Sequence, residues 1–311
     1  MPLPGGALLT LRPVEPSDAG GLAALYNGLS DDDGYLRFFG CYRPPRTFFQ
    51  QLASVVDRGG YGLVATLRTP HEDTGTSAAP RIVGEASYEP LPNGDGELGM
   101  AVAAGERGWL GPYLLDALVD AAAARHVPNI EADVLVTNSR MLALLRSRGY
   151  ATIGSDDWTS LRLLVGTGGP TPVWPGGPVT GPRVLVEVPG GRWHAWPEAA
   201  IAGLQVLACS GPGGTRRPRC PALDGRACPL AAAADAIVVS NVPEDERWHA
   251  IVEAHGSLHP GVPVCVEPRG GPAGRPPLTP AGDGTAIVVT GDEDPNVVVA
   301  LVDRLAAQRR R

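Results

Sequence analysis

The segment from residue 97 to residue 150 most narrows the folds open to this chain, because strand and helix signals alternate there without a break. Apolar residues run together in the strand segments and recur at helical spacing in the helix segments. The predicted elements are a strand at 97–104, a helix at 113–125, a strand at 131–136 and a helix from 137 that is stopped by Gly149. This alternating order predicts an α/β fold.

The turn between the first of these strands and the first helix spans residues 106–112. It contains Gly108 and Gly111, and Pro112 suits the first turn of a helix because its ring fixes a helical φ. Backbone N–H groups at a helix start have no partner within the helix, and the helix dipole favours an anion there. The turn is therefore suited to holding a pyrophosphate.

This arrangement resembles the cofactor half of the GNAT N-acetyltransferase family. Upstream, residues 11–19 look like the family's opening strand and first helix start. Residues 28–40 are similar to the substrate-side helices of bacterial protein lysine acetyltransferases, and residues 81–88 resemble the hairpin strand that leads into the cofactor strand. The resemblance runs from residue 8 to about residue 165.

The resemblance implies an enzyme that transfers acetyl from acetyl-CoA to an amine, with a protein lysine as the expected acceptor. Glu97 takes the position of the general base, a carboxylate that accepts the proton of the amine, and Glu85 is its nearest competitor. Glu97 is alternatively an exposed carboxylate at a strand end. The implied cofactor contacts are the backbone of Ala101, Val102 and Ala103, the turn residues Arg107, Gly108 and Gly111, and Asn138, which is alternatively the N-cap of the next helix.

The turn departs from the family's pattern at three positions. When the sequence is aligned on Gly111, Glu106 stands where the family has Gln or Arg, and Trp109 stands where it has glycine. Pro112 removes one amide that could face a phosphate. Trp109 and Pro112 favour an alternative function, a non-catalytic sensor of acyl-CoA or of redox or metal state that is built on a degenerate GNAT domain, whereas the retained Glu97, Gly111 and Asn138 favour the enzyme.

Composition excludes several other classes. The formal net charge of -7 argues against a nucleic-acid-binding surface, and no apolar run is long enough for a membrane helix. The start of the chain has no charged n-region, so we expect a cytoplasmic protein without a signal peptide. All 26 basic residues are arginine, and the many Gly, Pro and Ala residues suggest a GC-rich bacterial genome.

The second half of the chain predicts another α/β domain. Residues 166–182 are rich in Pro and Gly and predict a linker, which gives expected domains at 1–165 and 183–311. Buried-type strands are predicted at 183–188, 205–209, 236–240, 262–266 and 285–290, with helices between several of them. The pattern resembles a doubly wound, receiver-like or flavodoxin-like parallel sheet of regulatory or sensing character. The strand ends lack the phosphoacceptor pattern of receivers, so no phosphorylation is expected.

Three cysteines give this second half its candidate chemistry. Cys209 closes the second predicted strand, and Cys220 and Cys228 follow in a loop. Thiolates bind zinc or an iron–sulfur cluster, and two nearby thiols can form a reversible disulfide. The spacing matches no compact C-x-x-C pattern, so reduced structural cysteines are the third interpretation.

Overall fold

The computed structural model describes residues 1–3, 6–69, 79–154, 159–211, 220–242, 246–268, 286–288 and 294–310. These residues form two compact units, Met1–Leu144 and Leu145–Arg311. No helix within the described ranges is both long and apolar enough to cross a lipid bilayer.

The first unit contains a five-stranded sheet in the order β1-β2-β3-β4-β5. Neighbouring strands are antiparallel from β1 to β4, and β4 and β5 run parallel. The elements are β1 (Leu8–Pro13), α1 (Ala19–Asn27), α2 (Asp31–Phe38), α3 (Arg46–Ala53), β2 (Tyr61–Arg68), β3 (Arg81–Pro90), β4 (Gly96–Val102), α4 (Leu110–Ala123), β5 (Asn129–Leu135) and α5 (Ser139–Arg146), whose last two residues belong to the second unit.

Helices cover both faces of this sheet. On one face, Leu114 and Leu118 of α4 pack with Leu63 and Ala65 of β2. On the other face, α1 and α3 pack against the alternate strand residues, so the two-residue period of each strand sorts its side chains between two apolar layers. As a result, the odd-numbered residues of β4 face α1 and α3.

The predicted order of elements from 97 to 149 is present, with shifted boundaries. The first helix begins at Leu110, before the predicted 113, and Pro112 is accommodated in its first turn, where its N–H is not needed. It ends at Ala123 and not at 125, because His126 adopts a left-handed φ of 59° that no helix continues through.

The second unit has a sheet in the order β7-β6-β9-β8-β10-β11-β12. The five consecutive strands β9-β8-β10-β11-β12 run parallel to one another. The elements are β6 (Ala151–Ile153), β7 (Ser160–Gly166), β8 (Arg183–Glu187), α6 (Trp196–Ile201), β9 (Gln205–Cys209), α7 (Pro229–Ala232), β10 (Ala236–Val242), α8 (Glu246–Leu258), β11 (Val264–Pro268), β12 (Ala286–Val288) and α9 (Pro295–Arg309).

This parallel sheet also has helices on both faces. Residues of α7 and α8 form one apolar cluster with the strands, and residues of α6 and α9 form the other. The hairpin β6–β7 extends the sheet, because β6 pairs antiparallel with β9 through Ala151–Cys209, Thr152–Ala208 and Ile153–Leu207. The boundary expected at residue 165 therefore lies beyond a hairpin that pairs within the second unit.

The Pro- and Gly-rich segment forms neither helix nor strand between residues 167 and 182. Trp174 anchors this segment to the second unit, because its indole N–H donates to the carbonyl oxygen of Leu230 at 2.8 Å. The tryptophan also packs against the apolar cluster of α7 and α8.

Candidate functional site

The parallel strands β4 and β5 are joined only at their amino ends. Gly96 pairs with Ile130 and Glu97 pairs with Glu131, and no further pair forms along these two fully described strands. β4 remains paired with β3 as far as Val102. The edge of β4 that faces β5 is therefore open beyond Glu97, and its backbone groups are available to an extended ligand.

The predicted pantetheine contacts lie at the far end of this opening. Ala101 and Val102 are the last two residues of β4. Ala103 follows, and its N–H donates to the carbonyl oxygen of Val83 on β3 at 2.8 Å, so this amide is already used. Ala101 faces α1 and α3, and its side chain is buried.

The turn after β4 leads directly into the start of α4. A short 3₁₀ helix, Ala104–Glu106, follows the strand, and α4 then begins at Leu110. Gly108 has a φ of 90°, a conformation that residues with a Cβ rarely adopt, so glycine is required there. Trp109 is the N-cap residue of α4, and its side chain caps no backbone N–H. The α4 N-terminus therefore lacks a side-chain cap from this residue.

Two ion pairs engage the charged residues of the turn. Arg107 pairs with Asp33 of α2, and both side chains are largely buried. Glu106, which stands where the family has Gln or Arg, pairs with Arg81 at 3.3 Å. A carboxylate beside a pyrophosphate is repulsive, and the pair with Arg81 offsets part of that charge.

Gly111 and Asn138 have ordinary structural surroundings. A Cβ built at Gly111 would lie 3.5 Å from Cε of Met100, which is normal contact, so this glycine is not required by close packing. The Oδ1 atom of Asn138 accepts the N–H of Met141 at 3.1 Å, the bond that an N-cap makes to the first turn of α5.

Glu97 is the middle carboxylate of three in a row across the sheet. Its register partners are Glu89 on β3 and Glu131 on β5, and lateral partners in a sheet share one face. Arg58 binds Glu89 at 2.6 Å, and Nδ2 of Asn93 donates to Glu131 at 2.7 Å. Within the described part of the chain, Glu97 forms no hydrogen bond or ion pair, and its side chain is exposed.

Glu85 lies on the same face of the sheet as Glu97. It is four residues from Glu89 along β3, a separation of roughly 13 Å along a strand. It is 1% exposed and accepts hydrogen bonds from the hydroxyls of Tyr26 at 2.9 Å and Ser87 at 2.6 Å. Burial raises its pKa, and Arg37, Ser87 and Tyr26 oppose that shift. The Glu85 carboxylate is therefore buried and already hydrogen-bonded, whereas that of Glu97 is exposed.

In the second unit, the three predicted cysteines lie at one apolar cluster together with a buried histidine–carboxylate pair. Cys228 is part of that cluster, and Cys209 and Cys220 pack against it. The Cys209 thiol approaches Oε1 of Glu187 at 3.8 Å, and Nε2 of His255 lies 3.0 Å from the same oxygen. Glu187 is the last residue of β8 and Cys209 the last of β9, so both lie at the carboxyl edge of the parallel sheet.

These thiols are held protonated. Burial raises the pKa of Cys220 to about 12 and that of Cys228 to about 11, and Glu187 adds to both shifts. The pKa of Cys209 is also raised by burial and then by Glu187. Across the described residues, no group of three or more His, Cys, Asp or Glu side chains is arranged to hold a metal ion. The zinc or iron–sulfur interpretation of Cys209, Cys220 and Cys228 therefore has no support in this geometry.

Sequence reasoning did not identify the pair of Glu187 and His255 as part of a site. They are 68 positions apart, and both are fully buried, with Oε2 of Glu187 and Nδ1 of His255 lacking hydrogen-bond partners in the described structure. The available signal was a glutamate inside the otherwise apolar run 184–188, a position where a charged residue needs a specific partner.

Comparison with known proteins gives matches among solved structures. The GNAT domain of S. lividans PAT is 24% identical, with a TM-score of 0.43, over 52% of this chain and 92% of that domain. A ribosomal-protein-alanine N-acetyltransferase from Brucella melitensis is 26% identical, with a TM-score of 0.38, over 50% of this chain and 97% of its own.

A third match is a GNAT superfamily phosphinothricin acetyltransferase from Sinorhizobium meliloti in complex with acetyl-CoA, which is 17% identical, with a TM-score of 0.39, over 55% of this chain and 97% of its own. These likenesses concern the N-terminal half of the chain. No family model matches the sequence, and no curated protein matches it either.

Proposed function

We propose that the first unit is a GNAT-type N-acetyltransferase that transfers acetyl from acetyl-CoA to a cationic amine, with a protein lysine as the expected acceptor. The observation that carries the proposal is the position of Glu97, the one carboxylate of its row without a bonding partner, at the point where β4 and β5 separate. An amine enters as an ammonium ion at neutral pH, and three adjacent carboxylates attract it.

Each part of the opening then has a role. Glu97 is the general base that accepts a proton from the ammonium group, and the freed amine attacks the thioester carbonyl. Acetyl-CoA would supply the activated acetyl group. As the C–N bond forms and the C–S bond breaks, the nitrogen would lose its second proton to solvent and the departing thiolate would take a proton from solvent. The backbone of Ala101, Val102 and Ala103 would hold the pantetheine arm.

The residues of the turn fit a pyrophosphate in part. The α4 N-terminus, with Gly108 and Gly111 before and within it, offers backbone N–H groups, and Arg107 offers a cation once it leaves Asp33. Glu106 opposes the same anion, and its pairing with Arg81 reduces that opposition. We assign Asn138 to the cofactor side of the opening through its position at the start of α5.

A non-catalytic acyl-CoA sensor is the second candidate. Glu106 and Trp109 favour it, because a like charge and a bulky ring beside the phosphates weaken cofactor binding. Catalysis is what separates the two candidates, since both bind acyl-CoA.

The test is acetyl-CoA binding followed by an acetylation assay on the full chain. Calorimetry with acetyl-CoA should give saturable binding, and mass spectrometry should find acetyl transfer to a lysine-containing peptide but not to the same peptide with norleucine in place of lysine. Because the chain contains no lysine, any acetyl-lysine belongs to the acceptor. Absence of binding removes both candidates, and binding without transfer leaves the sensor.

For the second unit, we propose a receiver-like regulatory domain within the expected boundaries 183–311. The order β9-β8-β10-β11-β12 supports this, because numbering those strands from β8 gives 2-1-3-4-5, the flavodoxin-like order. Cys209, Cys220 and Cys228 at its carboxyl edge are proposed as a thiol group that responds to oxidation, in preference to a metal site.

A further inference from the structure

A cavity of about 600 Å³ lies within the second unit, and none of its described lining residues is a cysteine. Its described walls are residues 152–154 and 160–161 of the hairpin β6–β7, the segment 174–178, residues 191–193, and parts of α6 and β9. Small-molecule sites in proteins have volumes of about 300–1,000 Å³, so this cavity has the size of a ligand site.

Three tryptophans form the cavity walls, and two of them are held in place by their ring N–H groups. Trp193 donates to Oε2 of the buried Glu267 at 2.8 Å, and Trp174 donates to the carbonyl oxygen of Leu230 at 2.8 Å. The third ring, Trp196, lies so close to Gly154 that a Cβ there would come 2.5 Å from its Nε1 atom. The aromatic surface is therefore built before any ligand arrives.

Among the residues that the structure describes, those that carry charge in the cavity lining are positive. Arg183 and Arg192 are the charged residues among its described lining, and neither forms an ion pair in the part of the chain that the structure describes. The guanidinium carbon of Arg183 lies 5.4 Å from the ring centre of Trp174, so cation and ring face each other. Its Nε atom is buried and has no acceptor within the described structure.

We propose that this cavity binds a small, planar aromatic molecule that carries a negative charge. Indole walls favour a flat ring, which stacks on them or meets them edge to face. A planar guanidinium favours a carboxylate, sulfonate or phosphate, which it binds through two parallel hydrogen bonds. An uncharged aromatic ligand would leave both arginines of the described lining without an anionic partner. The ligand would be recognised by the second unit alone.

The test uses two fluorescent probes that share one aromatic framework and differ in charge. 1-Anilinonaphthalene-8-sulfonate is the anion, and N-phenyl-1-naphthylamine is its uncharged parent. The full-length protein should bind the anion with one site per chain and with about tenfold higher affinity or more than the parent, the contribution of one charge-assisted contact. Binding should also quench tryptophan emission.

Variants locate the binding and separate charge from shape. Arg192→Gln and Arg183→Gln should each weaken binding of the anion and leave binding of the parent nearly unchanged. Trp196→Leu should weaken binding of both probes. Arg226→Gln is the matched control, because Arg226 is an exposed arginine of the same unit, paired with Asp224 outside the cavity. Arg192 is exposed, so its substitution leaves folding intact even if Arg183→Gln does not. Equal affinity for the two probes, or equal effects of Arg192→Gln and Arg226→Gln, would overturn the proposal.

Discussion

The guanidinium of Arg37 lies over Gly99, at a distance that only a glycine permits: a Cβ at that position would come 2.8 Å from Nη2. Gly99 lies two residues after Glu97 on β4, so both face the helix side that carries Arg37. Burial alone would lower the pKa of Arg37, but Tyr26, Glu85 and Glu97 outweigh it and raise the pKa. A fixed cation thus stands beside the proposed base.

Gly99→Ala should raise the KM for a cationic amine by roughly tenfold while changing kcat less. The added methyl group pushes the flexible end of Arg37 toward Glu97, where it competes with the ammonium group of the acceptor. Steady-state kinetics with a lysine peptide measures the effect. Gly105→Ala is the control, because no atom lies within 4 Å of a Cβ there. An unchanged KM would show that Arg37 does not border the acceptor path.

Glu97→Gln should lower acetyl transfer by roughly 10²-fold or more, with acetyl-CoA affinity nearly unchanged, because the carboxylate acts on the amine. Glu131→Gln is the matched control: it removes the neighbouring carboxylate of the row, which Asn93 already engages. Single-turnover rates of both variants decide the assignment. Similar rates for the two would remove Glu97 as the base.

Glu106→Gln should tighten acetyl-CoA binding several-fold, because it removes a negative charge from the turn that we propose binds the phosphates. The gain should shrink at high salt, since screening weakens the repulsion that the substitution relieves. Trp109→Gly should also tighten binding, but without that salt dependence, if the ring crowds the phosphates. Calorimetry at two salt concentrations measures both effects. A gain of the same size at both concentrations would exclude charge as the cause for Glu106.

Asp95→Asn should stabilise the protein at pH 7 and lose that benefit at pH 4. Burial, aided by Glu131 and opposed by Asn129, raises the pKa of Asp95 from 3.8 to about 6. A raised carboxyl pKa means that the folded state favours the protonated form. The contribution of Asp95 to the free energy of unfolding is therefore fully present below pH 4 and is lost as the pH rises through 6. The neutral amide avoids that loss, which is on the order of 3 kcal/mol for a pKa raised from 3.8 to about 6.

Thermal melts at several pH values test this claim. The difference in Tm between Asp95→Asn and the unaltered protein should grow from pH 4 to pH 7. Asp120→Asn, at an exposed position of α4, should show no such trend. A constant difference across this pH range would contradict the raised pKa of Asp95.

Cys41 should react with iodoacetamide at pH 7.5 at least roughly tenfold faster than Cys209, Cys220 and Cys228. Cys41 is exposed, whereas burial raises the pKa values of the other three thiols and so lowers the fraction of each that is reactive thiolate. Peptide mass spectrometry after timed alkylation measures each rate.

Thiol counting tests the proposed oxidation response of the same cluster. The chain has five cysteines, all unpaired in the structure. Mild peroxide converts two thiols and one peroxide molecule into a disulfide and two water molecules, so the count should fall by two. A count of five thiols before and after peroxide would leave the three cysteines with a packing role only.

Local patterns in the sequence predicted the order of elements, because periodicity is a property of neighbouring residues. Boundaries were less predictable: α4 starts at Leu110 because the turn closes earlier than the placement of Pro112 suggested. The three-carboxylate row was hidden because Glu89, Glu97 and Glu131 meet only through strand register, which the sequence does not display. The approach of His255 to Glu187 likewise depends on how α8 packs on the second sheet.

Only two residue pairs join the fully described strands β4 and β5, and we call this weakly paired junction in the first unit the seam. Strands held by few mutual hydrogen bonds open at low free-energy cost, and amide hydrogens along such an edge exchange with solvent faster than those of the strand interior. A ligand that hydrogen-bonds to β4 beyond Glu97 would protect those amides from exchange with solvent. The seam would then open only together with the rest of the sheet. The stiffness of the first unit would then depend on how fully this seam is occupied.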